Sequence, residues 1–130
     1  MKSIAMTLAL AASMLSAPVS ASSDTGGDLY TSLKRFVDSV EGEPPAPDDA
    51  KDAAMFQSVG YVLGVWDGIM IARVTARKDT SCMPAGVSNV ALARTILRHI
   101  DATPKDRSTS STIAVANALI EAYPCLKDTK

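Results

Sequence analysis

Residues 53–72 read Ala-Ala-Met-Phe-Gln-Ser-Val-Gly-Tyr-Val-Leu-Gly-Val-Trp-Asp-Gly-Ile-Met-Ile-Ala, a stretch whose only charge is Asp67. A run of that length suits a membrane span, but Asp67, Gln57, Ser58 and three glycines make it a poor one. Asp48 and Asp49 precede it as N-cap candidates, with Asp52 favourable in a first turn. The segment therefore predicts a long helix, running to about Arg77, that is covered on nearly all sides. Gly60, Gly64 and Gly68 lie four apart and share one face, where a neighbouring backbone can approach closely. Each costs roughly 1 kcal/mol relative to Ala in a helix interior, so close packing has to offset it. The neighbour is either another helix of the chain or the same helix of a second subunit. Asp67, beside Trp66, reads as a buried carboxylate with a structural partner.

The flanks are helical too. Leu29, Tyr30, Leu33, Phe36, Val37 and Val40 form one apolar stripe, with Asp28 placed to cap it and Lys34, Arg35 and Asp38 facing water. The prolines of Glu41–Pro47 end that helix. Ser88 can cap a third, on which Val90, Ala93, Ile96, Leu97 and Ile100 share a face before Pro104 closes it. Ser110 or Ser111 opens a fourth, Thr112 to Tyr123, stopped by Pro124. His99, near the end of the third helix, is expected at the surface as a cation favoured by the helix C-terminus. No alternating β-branched run bounded by turns occurs. The fold class is all-α, a compact bundle of about four helices around a central glycine-containing helix.

The N-terminus reads differently. Lys2 is the only charge before Asp24, Ile4 to Leu15 is almost continuously apolar, and Pro18-Val19-Ser20-Ala21 supplies a small-residue exit. These are the parts of a secretory signal peptide. Residues 1–21 are expected to be removed, leaving residues 22–130 as a single domain in the periplasm, with no membrane insertion after cleavage. In that oxidising compartment Cys82 and Cys125 allow one intramolecular disulfide. The rival is a catalytic thiol with His99 as its base, which needs a free Cys and a third orienting group.

Composition narrows the function. The 130 residues carry 13 Lys+Arg against 14 Asp+Glu, a net charge of −1, which offers no field to attract nucleic acid. Two Cys and one His fall short of the usual four-ligand zinc or iron–sulfur site. No metal site or cofactor is expected, and no catalytic residue is assigned. The charges are uneven: residues 22–52 hold eight acids and three bases, whereas residues 73–107 hold seven bases and three acids. These faces either neutralise each other within the fold or meet a partner of opposite sign. With no nucleophile–base–orienter set, the domain suits binding better than catalysis.

Three segments together resemble a known pattern: Phe56 to Gly68, the turn Cys82-Met-Pro84-Ala-Gly86-Val87-Ser88, and the ending Ala118-Leu-Ile-Glu-Ala-Tyr-Pro-Cys125. They look like the Rap/Tai family of periplasmic immunity proteins, which protect bacteria against peptidoglycan amidases delivered by type VI secretion. The resemblance covers about residues 53–125 and leaves the first helix outside. It implies an all-helical fold, a Cys82–Cys125 disulfide, frequent dimerisation, no enzyme activity and one-to-one blocking of the effector's active-site cleft. The partner implied is therefore a cognate secreted cell-wall amidase. Its contact is placed on the connection from Asp101 to Ser111, where Asp101, Lys105, Asp106 and Arg107 read as exposed polar residues beside two helix ends. The turn Pro84 to Ser88 is the second choice, and Gly60, Gly64 and Gly68 are the helix-packing or dimer face. The alternative function is a small periplasmic chaperone or stress protein.

Overall fold

Each of the four α-helices begins at a side-chain cap. Thr25 Oγ1 accepts from the Asp28 N–H while the Asp28 carboxylate accepts from the Thr25 N–H, a reciprocal box that starts α1, Gly26–Glu41. Asp28 is thus the third residue of the helix and Thr25 its cap. Asp48 caps α2 (Asp49–Thr75) through the Lys51 N–H, Ser88 caps α3 (Asn89–Ala102) through that of Ala91, and Ser110 caps α4 (Ser111–Ala122) through that of Ile113. Pro104 and Pro124 each open a short 3-10 turn, Pro104–Ser108 and Pro124–Leu126. This is a computed structural model; it describes residues 24–127, and the expected signal peptide at residues 1–21 lies outside the described residues.

The fold is all-helical, with four α-helices and no strand among the described residues; a lone bridge joins Thr25 to Ser110. The centre is made by α1 and α3, each packed against the other three helices. Leu29 and Leu33 of α1, Leu92, Ile96 and Ile100 of α3, and Val115 and Leu119 of α4 are fully buried. Removing side chains of this size from water contributes about 1.5–3 kcal/mol each. Val62 and Trp66 bring one side of α2 onto this core, and the Trp66 ring lies 4.8 Å from that of Tyr123 at the end of α4.

The covering of α2 is less complete than the sequence predicts. Phe56, Ile71 and Val74 are 65%, 66% and 62% exposed, and a Cβ built at Gly60, Gly64 or Gly68 meets no atom within 4 Å. Asp67 is exposed as well, so it is not a buried, paired carboxylate. The physical reason is visible in the pattern. The apolar residues of α2 encircle the helix, so they do not select the face that turns inward, and the stripes of α1, α3 and α4 largely close on one another.

The uneven charges are matched mainly near home. Arg35 pairs with Asp52 at 2.7 Å inside the acidic segment and Arg107 with Asp101 at 3.0 Å inside the basic one, while Arg94 reaches across to Glu41.

A disulfide joins Cys82, in the α2–α3 connection, to Cys125 in the last turn, with Cα atoms 5.8 Å apart. Both cysteines of the chain are bonded, which removes the free thiol that a Cys–His nucleophile requires. Arg73 braces the same corner, donating from Nε to the Asp79 carbonyl (2.9 Å) and from Nη2 to that of Cys125 (2.6 Å). The bond spans 43 positions, and cross-linking a loop of that size removes roughly 4 kcal/mol of unfolded-state entropy. Replacing both cysteines by Ala is therefore expected to lower the unfolding free energy by about 2–4 kcal/mol, read from urea titration against the oxidised protein.

Candidate functional site

The connection between α3 and α4 is a fastened projection. Its Pro104–Ser108 turn lies against the start of α1, where the Gly26 N–H donates to the Thr109 carbonyl at 2.9 Å and the Ser111 N–H to that of Asp24 at 3.3 Å. A Cβ at Gly26 would stand 2.1 Å from the Asp106 carbonyl oxygen. Only a residue without one allows this approach of backbone to backbone. On the outer side, Arg107 donates to Asp101 at 3.0 Å and stacks its guanidinium 4.2 Å from the centre of the Tyr30 ring.

Asp106 is the inner anchor, and here the sequence expectation is corrected. It is 2% exposed rather than a surface residue. Its Oδ2 accepts from Asn117 Nδ2 at 3.0 Å and lies 2.9 Å from His99 Nε2. The hydrogen bond from Asn117 and then that from His99 hold the Asp106 carboxyl below the usual carboxylate range. His99 is likewise buried, at 9% exposure, and not on the surface. Its Nδ1 faces Glu121 Oε2 of α4 at 2.5 Å, so the ring has a carboxylate at each nitrogen. A helix end favours a cation, but the two carboxylates are the stronger claim on this ring and draw it inward.

The remaining candidates stay outside. Asp101, Lys105 and Arg107 are exposed, as are Pro84, Gly86 and Ser88 of the other turn, where Gly86 has φ 74°. The structure thus brings Asp101 and Arg107 into contact, leaves Lys105 exposed on the same turn, and withdraws Asp106. Among the described residues no group of His, Cys, Asp and Glu is arranged to hold a metal ion. The two carboxylates flanking His99 sit on opposite sides of the ring, so they do not converge on one point. What the arrangement can do is present a short, rigid, polar surface that needs no ordering on contact.

Gly26, His99, Asn117 and Glu121 were not legible as parts of this site. One signal was present: Asn117 and Glu121 lie four apart, on one face of the last helix, next to a run that is otherwise apolar.

Residues 25–125 match the family model described as Rap1a immunity proteins. The match runs from the cap of α1 to the second cysteine of the disulfide. It takes in the first helix, which the resemblance read from the sequence leaves out. No curated protein and no solved structure matches the chain significantly.

Because its pKa is depressed by folding, Asp106 adds stability that is present above the ordinary aspartate value near 4 and is lost as pH falls through the lower folded value. Asp106→Asn is expected to remove that acid slope, and Asp106→Ala to cost about 1–3 kcal/mol at neutral pH by leaving His99 Nε2 without its acceptor. Denaturant unfolding from pH 2 to pH 7 measures both.

Proposed function

We infer that this chain, which belongs to the Rap1a immunity protein family, is a periplasmic immunity protein that binds and blocks a type VI secreted peptidoglycan amidase and catalyses no reaction itself. The observation that carries this reading is the extent of the family match, which spans nearly the whole described fold. The bonded cysteines and the apolar N-terminal segment support an oxidising, extracytoplasmic setting.

Blocking an amidase needs no reactive group on this side. A projection that fills the cleft excludes both water and the peptidoglycan peptide. The segment around Pro104–Ser108 suits the task because its backbone and inner side chains are already fixed, so little conformational entropy is lost on binding. Its outer side chains Asp101, Lys105 and Arg107 make the contact in this reading, and buried Asp106 holds their shape. The turn Pro84 to Ser88 is the second surface.

Co-expression tests the function directly. A cognate type VI peptidoglycan amidase, directed to the periplasm, is expected to lyse cells unless this protein is present. Asp101→Ala/Lys105→Ala/Arg107→Ala should stay folded and weaken binding by about 2–4 kcal/mol, measured by titration calorimetry, if the hot spot lies here. Unchanged binding would move the contact to the Pro84–Ser88 turn.

The open face of α2 belongs to the same reading as the seam of a homodimer. Gly60, Gly64 and Gly68 leave space for close helix approach, and Phe56, Ile71 and Val74 are apolar residues in need of cover. By length and composition α2 is also long and apolar enough to cross a membrane. Gly64→Leu is expected to convert a dimer to a folded monomer in analytical ultracentrifugation. A wild-type monomer that floats with lipid vesicles would overturn the dimer and place this face on the bilayer.

A further inference from the structure

We propose that His99 is a positioning residue for the Pro104–Ser108 segment, joining Asp106 and Glu121 only while both of its ring nitrogens carry protons, so that binding through this segment follows the protonation of the ring. This rests on the proposed contact surface. The geometry is the argument. Nε2 lies 2.9 Å from Asp106 Oδ2 and Nδ1 lies 2.5 Å from Glu121 Oε2. Ionised carboxylates only accept, so both contacts are hydrogen bonds only if both nitrogens donate, which is the imidazolium. A neutral ring has one N–H, and the nitrogen without it faces a carboxylate lone pair. One of the two contacts must then open.

Which contact opens matters to the projection. Glu121 is on the exposed side of α4, whereas Asp106 is buried and belongs to the turn itself. Asn117 also donates to the same oxygen of Asp106, so that carboxylate keeps one partner while the ring re-orients. The groups facing the ring are Asp106 from the turn, Glu121 from α4 and, on its own helix, Arg98, which lines the same cleft of about 330 Å³ with Thr95. A neutral ring that keeps its proton on Nδ1, toward Glu121, leaves Asp106 with Asn117 alone, and through that lost bond the ring couples pH to the shape of the segment.

Glu121→Gln separates this role from a merely structural one. The glutamine amide can donate to Nδ1 of a neutral ring while Nε2–H still donates to Asp106, so the neutral ring keeps both contacts. Two measurements are made from pH 5.5 to 8.5 on the full mature chain. The first is ¹H–¹⁵N NMR of the free protein, in which the amides of residues 103–109 are expected to titrate together with the His99 ring in the wild type and not in Glu121→Gln. The second is effector affinity, where the wild-type Kd should rise about tenfold more than that of Glu121→Gln over the same range, which is about 1.4 kcal/mol. Titrations within the effector are common to both proteins and cancel in the ratio. Segment amides that ignore the ring, or that titrate alike in the wild type and Glu121→Gln, would overturn the proposal. If the amides follow the ring but the ratio of affinities is flat, the coupling exists and the contact surface of the preceding section is what fails.

Discussion

The Asp106 carboxylate is the constraint on which the rest of the bundle's far end depends. An ionised group cannot be taken from water without partners that replace its hydration. Asp106 has them from two helices, Asn117 on α4 and His99 on α3, while its own backbone carbonyl sits against Gly26 at the start of α1. Four elements therefore meet at one residue. Their relative positions are set by directional bonds here, whereas the apolar contacts along α1, α3 and α4 constrain distance more than rotation. The lowered pKa of Asp106 belongs to the same fact, because whatever stabilises the charge also stabilises the arrangement that surrounds it.

At the other end the problem is solved differently. The corner formed by Cys82, Cys125 and Arg73 is held by a covalent bond and by hydrogen bonds to carbonyls, with little apolar burial beyond Met83. This leaves α2 gripped along one side, through Val62 and Trp66, and open along the other. A long apolar helix with an open face leaves apolar surface uncovered. The cost of Gly60, Gly64 and Gly68 in helix propensity is not offset by close packing among the described residues.

Local rules were legible and tertiary ones were not. Proline positions, the caps Asp48, Ser88 and Ser110, and the stripe from Leu29 to Val37 placed all four helices within two or three residues of their observed ends, because capping and periodicity act over a single turn. The pairing of the cysteines followed from there being two. His99 and Asp106 were misread for one shared reason: the burial of a charged residue depends on what lies opposite it, and their partners come from another helix. The covering of α2 failed for a related reason. A helix that is apolar all round carries no moment to say which side turns in. Asp101, Lys105 and Arg107 were placed outside correctly, since nothing in the fold offers them a buried partner.

The cost of building a rigid projection from polar residues explains its composition. Side-chain and backbone contacts hold a turn of five residues, Pro104–Ser108, from its inner side and its flanks. A longer or looser connection would offer the same outer side chains, but each would need ordering at about 0.5–1.5 kcal/mol on contact. An apolar anchor in place of Asp106 would fill the space without fixing the turn's orientation, because dispersion contacts tolerate rotation and hydrogen bonds do not. Asp101 and Arg107 also brace the turn, through their ion pair and the stacking of Arg107 on Tyr30. In the proposed reading the turn is held mainly by Asp106 and His99 and recognition falls to Asp101, Lys105 and Arg107, so the outer surface can change from one partner to another while the turn beneath it keeps its shape.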